Sequence, residues 1–561
     1  MKKVFTKILL LSLLTFTVNA QNNDNKYDFA RLFKNLPFKM PVLTVPKFQN
    51  KSFSIKDFGA SGDGQKDNTK SFADAIDACS KAGGGKVIVP AGIWLTGPIK
   101  FKDNVNLHLE IGALIQFTKN FNDYSLIESN WEGVNQYRCT SPISGRNLKN
   151  IAITGFGIVD GAGEAWRPVK KEKMTANQWK DLLNSGGVVD SKGTTWWPSK
   201  EAMEAGGFIA DLKKQNRSIT KEEAEKYKVF YRPVMVSFIE CKNVWLDGVT
   251  FQNSPAWNLH PLLSENVIVS NLNVRNPWYS QNGDGIDLES CKNSLIYNCK
   301  FDVGDDAICM KSGKDEEGRK RGRPTENLVV QDCIVYHGHG GFTIGSEMSG
   351  GVKNIKVDNC NFIGTDIGLR FKSQRGRGGV VENIWVSNIF MKDIPTDALS
   401  FNMYYMAVDP AAEKGHSELS AASKEIPVTD GTPQFKNIYL KNIFCNGARD
   451  AIVIQGLPEM SIKGIEIDNC VMKADRGISI FDADGIKIKN TSISSQNIFV
   501  SVNQSRNIYL ENLNPEGNYN TLLNVSGEKC AGIFLEGKNS KEIAKKSLFE
   551  KGSKIDILTV K

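Results

Sequence analysis

The 561-residue chain holds 11 cysteines but no C-x-x-C pair, which removes the usual spacing of a structural zinc site. The odd cysteine count also fails to form a disulfide framework. Cys299, Cys333, Cys360 and Cys470 each follow Asn or Asp at the end of similar apolar stretches. That recurrence predicts buried stacking positions, where the thiol serves as a small apolar group. Beyond the amino terminus no apolar run is long enough to cross a bilayer, so no membrane insertion is expected. A concentrated basic patch is missing too. The formal charge is +8, and the one dense run, GKDEEGRKRGRP (313–324), mixes both signs. It reads as a solvated loop, and nucleic acid is not an expected partner.

The chain opens MKKVFTKILLLSLLTFTVNAQ, a basic start followed by a short apolar run and small residues up to Ala20. This is the pattern of a secretory signal over residues 1–20, with a periplasmic or secreted, soluble product. Losing Lys2, Lys3 and Lys7 from the +8 leaves +5, a mild excess compatible with an acidic substrate.

A repeat organises the remainder. Asn or Gly, an alternating apolar stretch, then Asn or Asp recurs as NIAITGF at 150, NVWLDGV at 243, NVIVSNL at 266, NIKVDNC at 354 and NIYLKNI at 437, among others. From 243 the starts are spaced 23, 27, 34, 27, 29, 54, 27, 21 and 22 residues apart, and the 54 reads as two coils of 27. A second short strand recurs within the repeats: GIDLES, AICMKS, GFTIGS, GLRFKS. Such strands bury an apolar face only by stacking coil on coil. The expected fold is all-β, a parallel β-helix. A capping helix is predicted near the amino end, where Asp67 to Thr69 precede Phe72, Ile76 and Cys79 at helical spacing and Gly83 to Gly85 end it. Two long loop insertions are expected, at about 160–230 and 404–434. Residues 21–50 form an amino-terminal extension to a single solenoid domain, 51–561.

Aligning the second strands stacks Asp284 on Asp306, with Asp305 one position earlier and His339 level with it on the next coil. Arg370 and Lys372 share one face of GLRFKS, because alternate residues of a strand do. Three acids held together repel and raise each other's proton affinity, which a scaffold tolerates where a shifted acid has a task. Weaker candidates come from AWNLHP on the preceding coil, which the alignment sets as Asn258 with Asp287 and His260 with Glu289. His260 suits a packed residue as well as a sugar contact. Lys311 suits an ion pair with Glu289 as well as a substrate carboxylate. Trp257 and Trp278 read as core or wall.

The set NGDGID, GDDAI, GHGG and RFK, in that order, resembles the signature motifs of glycoside hydrolase family 28, the polygalacturonases. The likeness runs from DFGASGDGQKDNT (57–69) through the last coils. It implies a right-handed β-helix acting on pectic polymers of galacturonic acid by inversion, without metal or other cofactor; a monomer is expected. By the same resemblance Asp305 is the general acid and Asp284 and Asp306 hold and deprotonate the attacking water. His339 supports the acid, and Arg370 and Lys372 grip the substrate carboxylate. Inversion leads to an expected gap between acid and base of about 6.5–9.5 Å. Many endo-acting members have Thr at the place of Gly283 and Gln at that of Gly304, so this form looks like the exo-acting branch. An endo-polygalacturonase or a rhamnogalacturonan or xylogalacturonan hydrolase would share the acids. A pectate lyase would need a calcium cage and an arginine base, and a non-catalytic β-helix glycan-binding protein has no reason to align acids beside cations.

Overall fold

Short alternating strands pair in parallel with their counterparts one coil on, so residues at the same repeat position form columns. Val244, Val267, Ser294, Leu328, Ile355, Ile384 and Ile438 are one such column. The computed structural model describes residues 29–405 and 424–561. The signal segment 1–20 and residues 406–423 of the second insertion lie outside the described residues. Thirty-four strands join one parallel sheet wound as a right-handed β-helix. Its apolar core runs unbroken from Ile55 to Ile543.

Two rows of asparagines edge the coils. In the first, the amides of Asn150, Asn243, Asn266, Asn293, Asn327, Asn354 and Asn383 each donate to the asparagine one coil earlier, starting from Asn104. All eight have φ between 54° and 61°. Asparagine tolerates that left-handed turn and ties the corner at the same time. These are the leading asparagines of the repeat. All eleven cysteines are buried and free, and Cys299, Cys333, Cys360 and Cys470 donate to the carbonyl two residues earlier.

Helix α1 (Thr69–Lys81) covers the open amino end with Phe72, Ala75, Ile76 and Cys79, and Asp67, just before the N-cap Asn68, accepts the Thr69 N–H at 2.8 Å. The first insertion contains helices α2 (Ala176–Asn184), α3 (Lys200–Lys214) and α4 (Lys221–Lys226) beside a three-stranded sheet. The 54-residue spacing is one coil, not two. Ile384 pairs directly with Ile438, because the chain leaves after Asn402 and returns at Gln434 before the next coil begins. The mixed-charge run is also more than a solvated loop. Residues Asp315–Arg321 form helix α5, acids in its first turn and bases in its last, as its dipole favours. A hairpin of strands Leu126–Trp131 and Val134–Cys139, with no repeat signature, projects from an early coil. The described part of the extension lies along the outside of the solenoid, with Phe29, Leu32 and Leu43 packed on Trp245, Ile268 and Leu295.

Candidate active site

Ile286 pairs with Ile308, Ile308 with Phe342 and Phe342 with Leu369. That register brings Asp284 and Asp306 to the same level on neighbouring coils, one strand spacing of about 4.8 Å apart. The backbone carbonyl of Asp305 accepts the His339 N–H at 2.9 Å, fixing the histidine beside it. The glycines before the acids have a steric cause. A Cβ on Gly283 would lie 1.9 Å from Ser280 Oγ, and one on Gly304 would lie 2.4 Å from that oxygen and 2.7 Å from the Pro277 carbonyl. The Pro277–Ser280 turn therefore occupies space that Thr or Gln at these positions would need.

The four central groups are electrostatically sorted. Burial pushes Asp306 up, but Lys372 Nζ at 2.7 Å and Arg370 Nη1 at 3.1 Å outweigh it and hold its carboxyl far below the usual range. Thr343 Oγ1 adds a hydrogen bond at 3.1 Å. Asp284, buried and facing the charges of Asp287 and Asp305, is pushed well above the usual range. Asp305 is raised by burial, yet its pairing with His339 Nδ1 at 3.1 Å brings it below the ordinary value. The same pairing raises His339 above 6.5. The site thus holds protons most readily on Asp284 and His339, while Asp305 and Asp306 favour the ionised form.

Asp284, Asp305 and Asp306 each offer an oxygen, and these lie within 4.8 Å of one another. The expected 6.5–9.5 Å gap is therefore not built into the spacing of these oxygens, because two acids are chain neighbours and the third is one rung away. On distance alone the trio could embrace a cation. Both oxygens of Asp306 already accept from side-chain cations, however, and Asp305 is paired with His339, so the protein supplies the counter-charge itself.

The weaker candidates are corrected. The register places His260 level with Asp287, not Glu289, since Leu259 pairs with Ile286 and Leu262 with Glu289. His260 still reaches Glu289 diagonally at 2.9 Å, but it is buried and packed edge-on to Trp257, which removes it from the cleft. Asn258 lies level with Gly285 rather than Asp287, and is likewise wholly buried. Lys311 bonds Glu347 at 2.9 Å and approaches Asp287 at 3.5 Å, and Glu289 takes Arg321 of helix α5 at 2.7 Å instead. All three candidates lie beneath the cleft surface.

Their burial has one cause. Trp131 of the hairpin stacks on Trp257 at 4.5 Å, and Trp257 in turn lies against His260 and under Lys311. The hairpin tip rests on helix α5, where the Gly133 carbonyl accepts from Arg321. Hairpin and helix so cover Trp257 and Glu289, and the strands Val236–Ile239, Leu259–Leu262 and Ile286–Glu289 are buried along their whole length. On the other side Asp366, Tyr405 and Arg449 reach solvent, at 52%, 37% and 46% exposure.

Four residues escaped sequence reasoning. Asp287 follows Asp284 by three and is wholly buried, 3.5 Å from Lys311 Nζ. Glu347, in IGSEMSGG, is a buried acid between Lys311 and Arg377. Asp366 stands 3.7 Å from His339 Nε2, two residues before GLRFKS. Tyr405 presents its ring 4.7 Å from Lys372 and 5.5 Å from Arg370, from the edge of an insertion without repeat signal. Of the two tryptophans, Trp257 is core and Trp278 is half exposed.

The pattern of glycosyl hydrolases family 28 matches residues 169–421, and that of rhamnogalacturonase A/epimerase, pectate lyase-like proteins matches residues 52–182. The crystal structure of a hyperthermoactive exopolygalacturonase from Thermotoga maritima is 30% identical, with a TM-score of 0.64 over 82% of this chain and 93% of that one. A probable polygalacturonase of Vitis vinifera is 28% identical over 74% of this chain and 73% of its own. An exo-poly-alpha-D-galacturonosidase of Dickeya chrysanthemi is 29% identical over 65% of this chain, which spans 59% of that relative's length.

Proposed function

The chain belongs to glycosyl hydrolase family 28 and is a glycoside hydrolase, and from that premise we propose that it cleaves α-1,4-galacturonosidic bonds of polygalacturonic acid from a chain end. The observation that carries the end-wise reading is the roof of Trp131, Gly133 and helix α5. On this reading it closes one end of the cleft, so a long chain meets the acids by its terminus. The likeness to exo-acting relatives supports the same reading.

The roles follow from the proton inventory. Water adds to the anomeric carbon as the glycosidic C–O bond breaks. Asp305, ionised at rest, takes the proton that His339 holds 3.1 Å away and passes it to the departing oxygen. Asp306, held ionised by Lys372 and Arg370, takes the proton that the water sheds, and Asp284 across the rung steadies that water. Arg370 and Lys372, a fork donor and a point charge, take the carboxylate of the sugar. The amino-terminal segment fits export, so the monomeric enzyme works in the periplasm or medium. Sequencing of the mature terminus and gel filtration test those two statements.

The deciding experiment is chromatography of early products from polygalacturonic acid. Monomer alone supports end-wise cleavage. A ladder of oligomers overturns it and leaves the family untouched, and unsaturated products or none overturn the hydrolytic roles. Proton NMR of the first product checks inversion, for which the β-anomer must appear before mutarotation.

A further inference from the structure

Round one corner of the solenoid from the acids is a cavity of about 790 Å³ that the reaction does not use. Its floor is a ladder of Asp160, Gln252, Arg275, Asp302 and His337, paired rung by rung on five successive coils. Four rung spacings make it about 19 Å long. Glu164 and Arg167 of the first insertion and the Asn276–Tyr279 turn form its walls.

The acids here are already satisfied. Asp160 accepts from Gln252 and Asn253 at 2.8 and 3.1 Å, Glu164 pairs with Lys119 at 2.6 Å, and Asp302 takes His337 Nδ1 at 2.9 Å. Arg167 is buried and spends its donors on Ser254 and Asn253. Two groups are left over. The exposed Arg275 guanidinium has no side-chain partner among the described residues, and the Trp278 indole is 52% exposed with Lys173 Nζ 5.2 Å from its ring. A free fork donor beside a half-exposed indole, with the Lys173 ammonium over its ring, fits one chemistry well: a sugar ring that carries a carboxylate.

The cavity is also joined to the reaction centre. Asp302 and Asp305 are three residues apart in the chain, and His337 and His339 belong to one strand, two residues or about 7 Å apart.

We propose that this cavity is a second, non-catalytic subsite that holds a uronate residue of the polysaccharide, with Arg275 on its carboxylate and Trp278 against its ring. It rests on the reading that the substrate is a galacturonan. The subsite keeps the polymer on the enzyme between cuts, which short substrates cannot exploit.

Steady-state kinetics of Arg275→Ala and Trp278→Ala on polygalacturonic acid and on digalacturonate test it. The expected result is a KM for polymer raised about tenfold or more, from loss of a charge-assisted bidentate contact, with kcat and the digalacturonate constants unmoved. An unchanged polymer KM in both variants overturns the subsite. Equal losses on both substrates also overturn it, because the residues would then belong to the catalytic cleft. If the unaltered enzyme turns over neither substrate, the proposed function fails separately. Calorimetric titration of trigalacturonate into the enzyme and Arg275→Ala then decides the cavity: weaker binding by the variant supports it, equal binding ends it.

Discussion

His339 stands between two carboxylates, its Nδ1 3.1 Å from Asp305 and its Nε2 3.7 Å from Asp366. Hydrogen bonding to Asp305 raises its affinity for a proton above the ordinary 6.5. On the proposed mechanism the proton relayed through Asp305 is therefore held to a higher pH than on an ordinary imidazole and is lost as pH rises through that elevated value. The alkaline limb of kcat/KM should therefore fall above pH 6.5. In His339→Gln the limb should vanish and the rate drop about 10²–10³-fold. An alkaline limb that survives the substitution belongs to another group.

Asp305→Asn should lower kcat about 10³–10⁴-fold with KM little changed, because the amide fills the same space and cannot deliver the proton. Asp306→Asn should be comparably slow. It also strands Lys372 and Arg370 without their carboxylate, so its unfolding midpoint should fall where that of Asp305→Asn barely moves. Equal midpoints would contradict the sorting of charge between the two neighbours.

Gly133 has φ +78°, and a Cβ there would meet the Lys314 nitrogen at 2.5 Å. Gly133→Val should push the hairpin off helix α5 at a cost of about 1–3 kcal/mol. Early products should then include oligomers as the roof opens. Monomer alone, with a lowered melting temperature, would move the end stop elsewhere.

Gly283→Thr installs the residue common in endo-acting members against Ser280 Oγ. Activity should fall at least tenfold, and Ser280→Gly in the same chain should restore much of it, a coupling of about 1–3 kcal/mol between neighbours. Additive losses would mean that the Pro277–Ser280 turn does not set the identity of residue 283.

Asn266 donates to Asn243 at 3.0 Å and has φ 57°. Asn266→Ala should destabilise by about 2–4 kcal/mol through the lost amide bonds and left-handed strain, and Asn266→Gly by roughly half that. Denaturant unfolding separates the two. Equal costs would leave the backbone no part in the asparagine's selection.

The solenoid, its capping helix and the gathering of Asp284, Asp305, Asp306, His339, Arg370 and Lys372 could be read from the sequence because a repeating strand turns sequence offset into position. The same alignment failed at His260 and Asn258 by two residues. Strand ends in AWNLHP carry no alternation sharp enough to fix register, and burial depended on a hairpin that follows no repeat. The spacing of 54 misled for a related reason: an insertion of coil length mimics a coil. Tyr405 and Trp131 come from segments outside the repeat whose positions are fixed by tertiary contact, so no repeat signal announces them.

The rung-by-rung register behind the acids has a further consequence for how such a site can diverge. The scaffold acts as a ruler with two graduations, about 4.8 Å between rungs and about 3.3 Å along a strand. Functional groups can be respaced only in those steps, whereas corner turns such as Pro277–Ser280 vary without disturbing the core. Change of specificity in this molecule is accordingly stepwise on the floor and continuous at the corners.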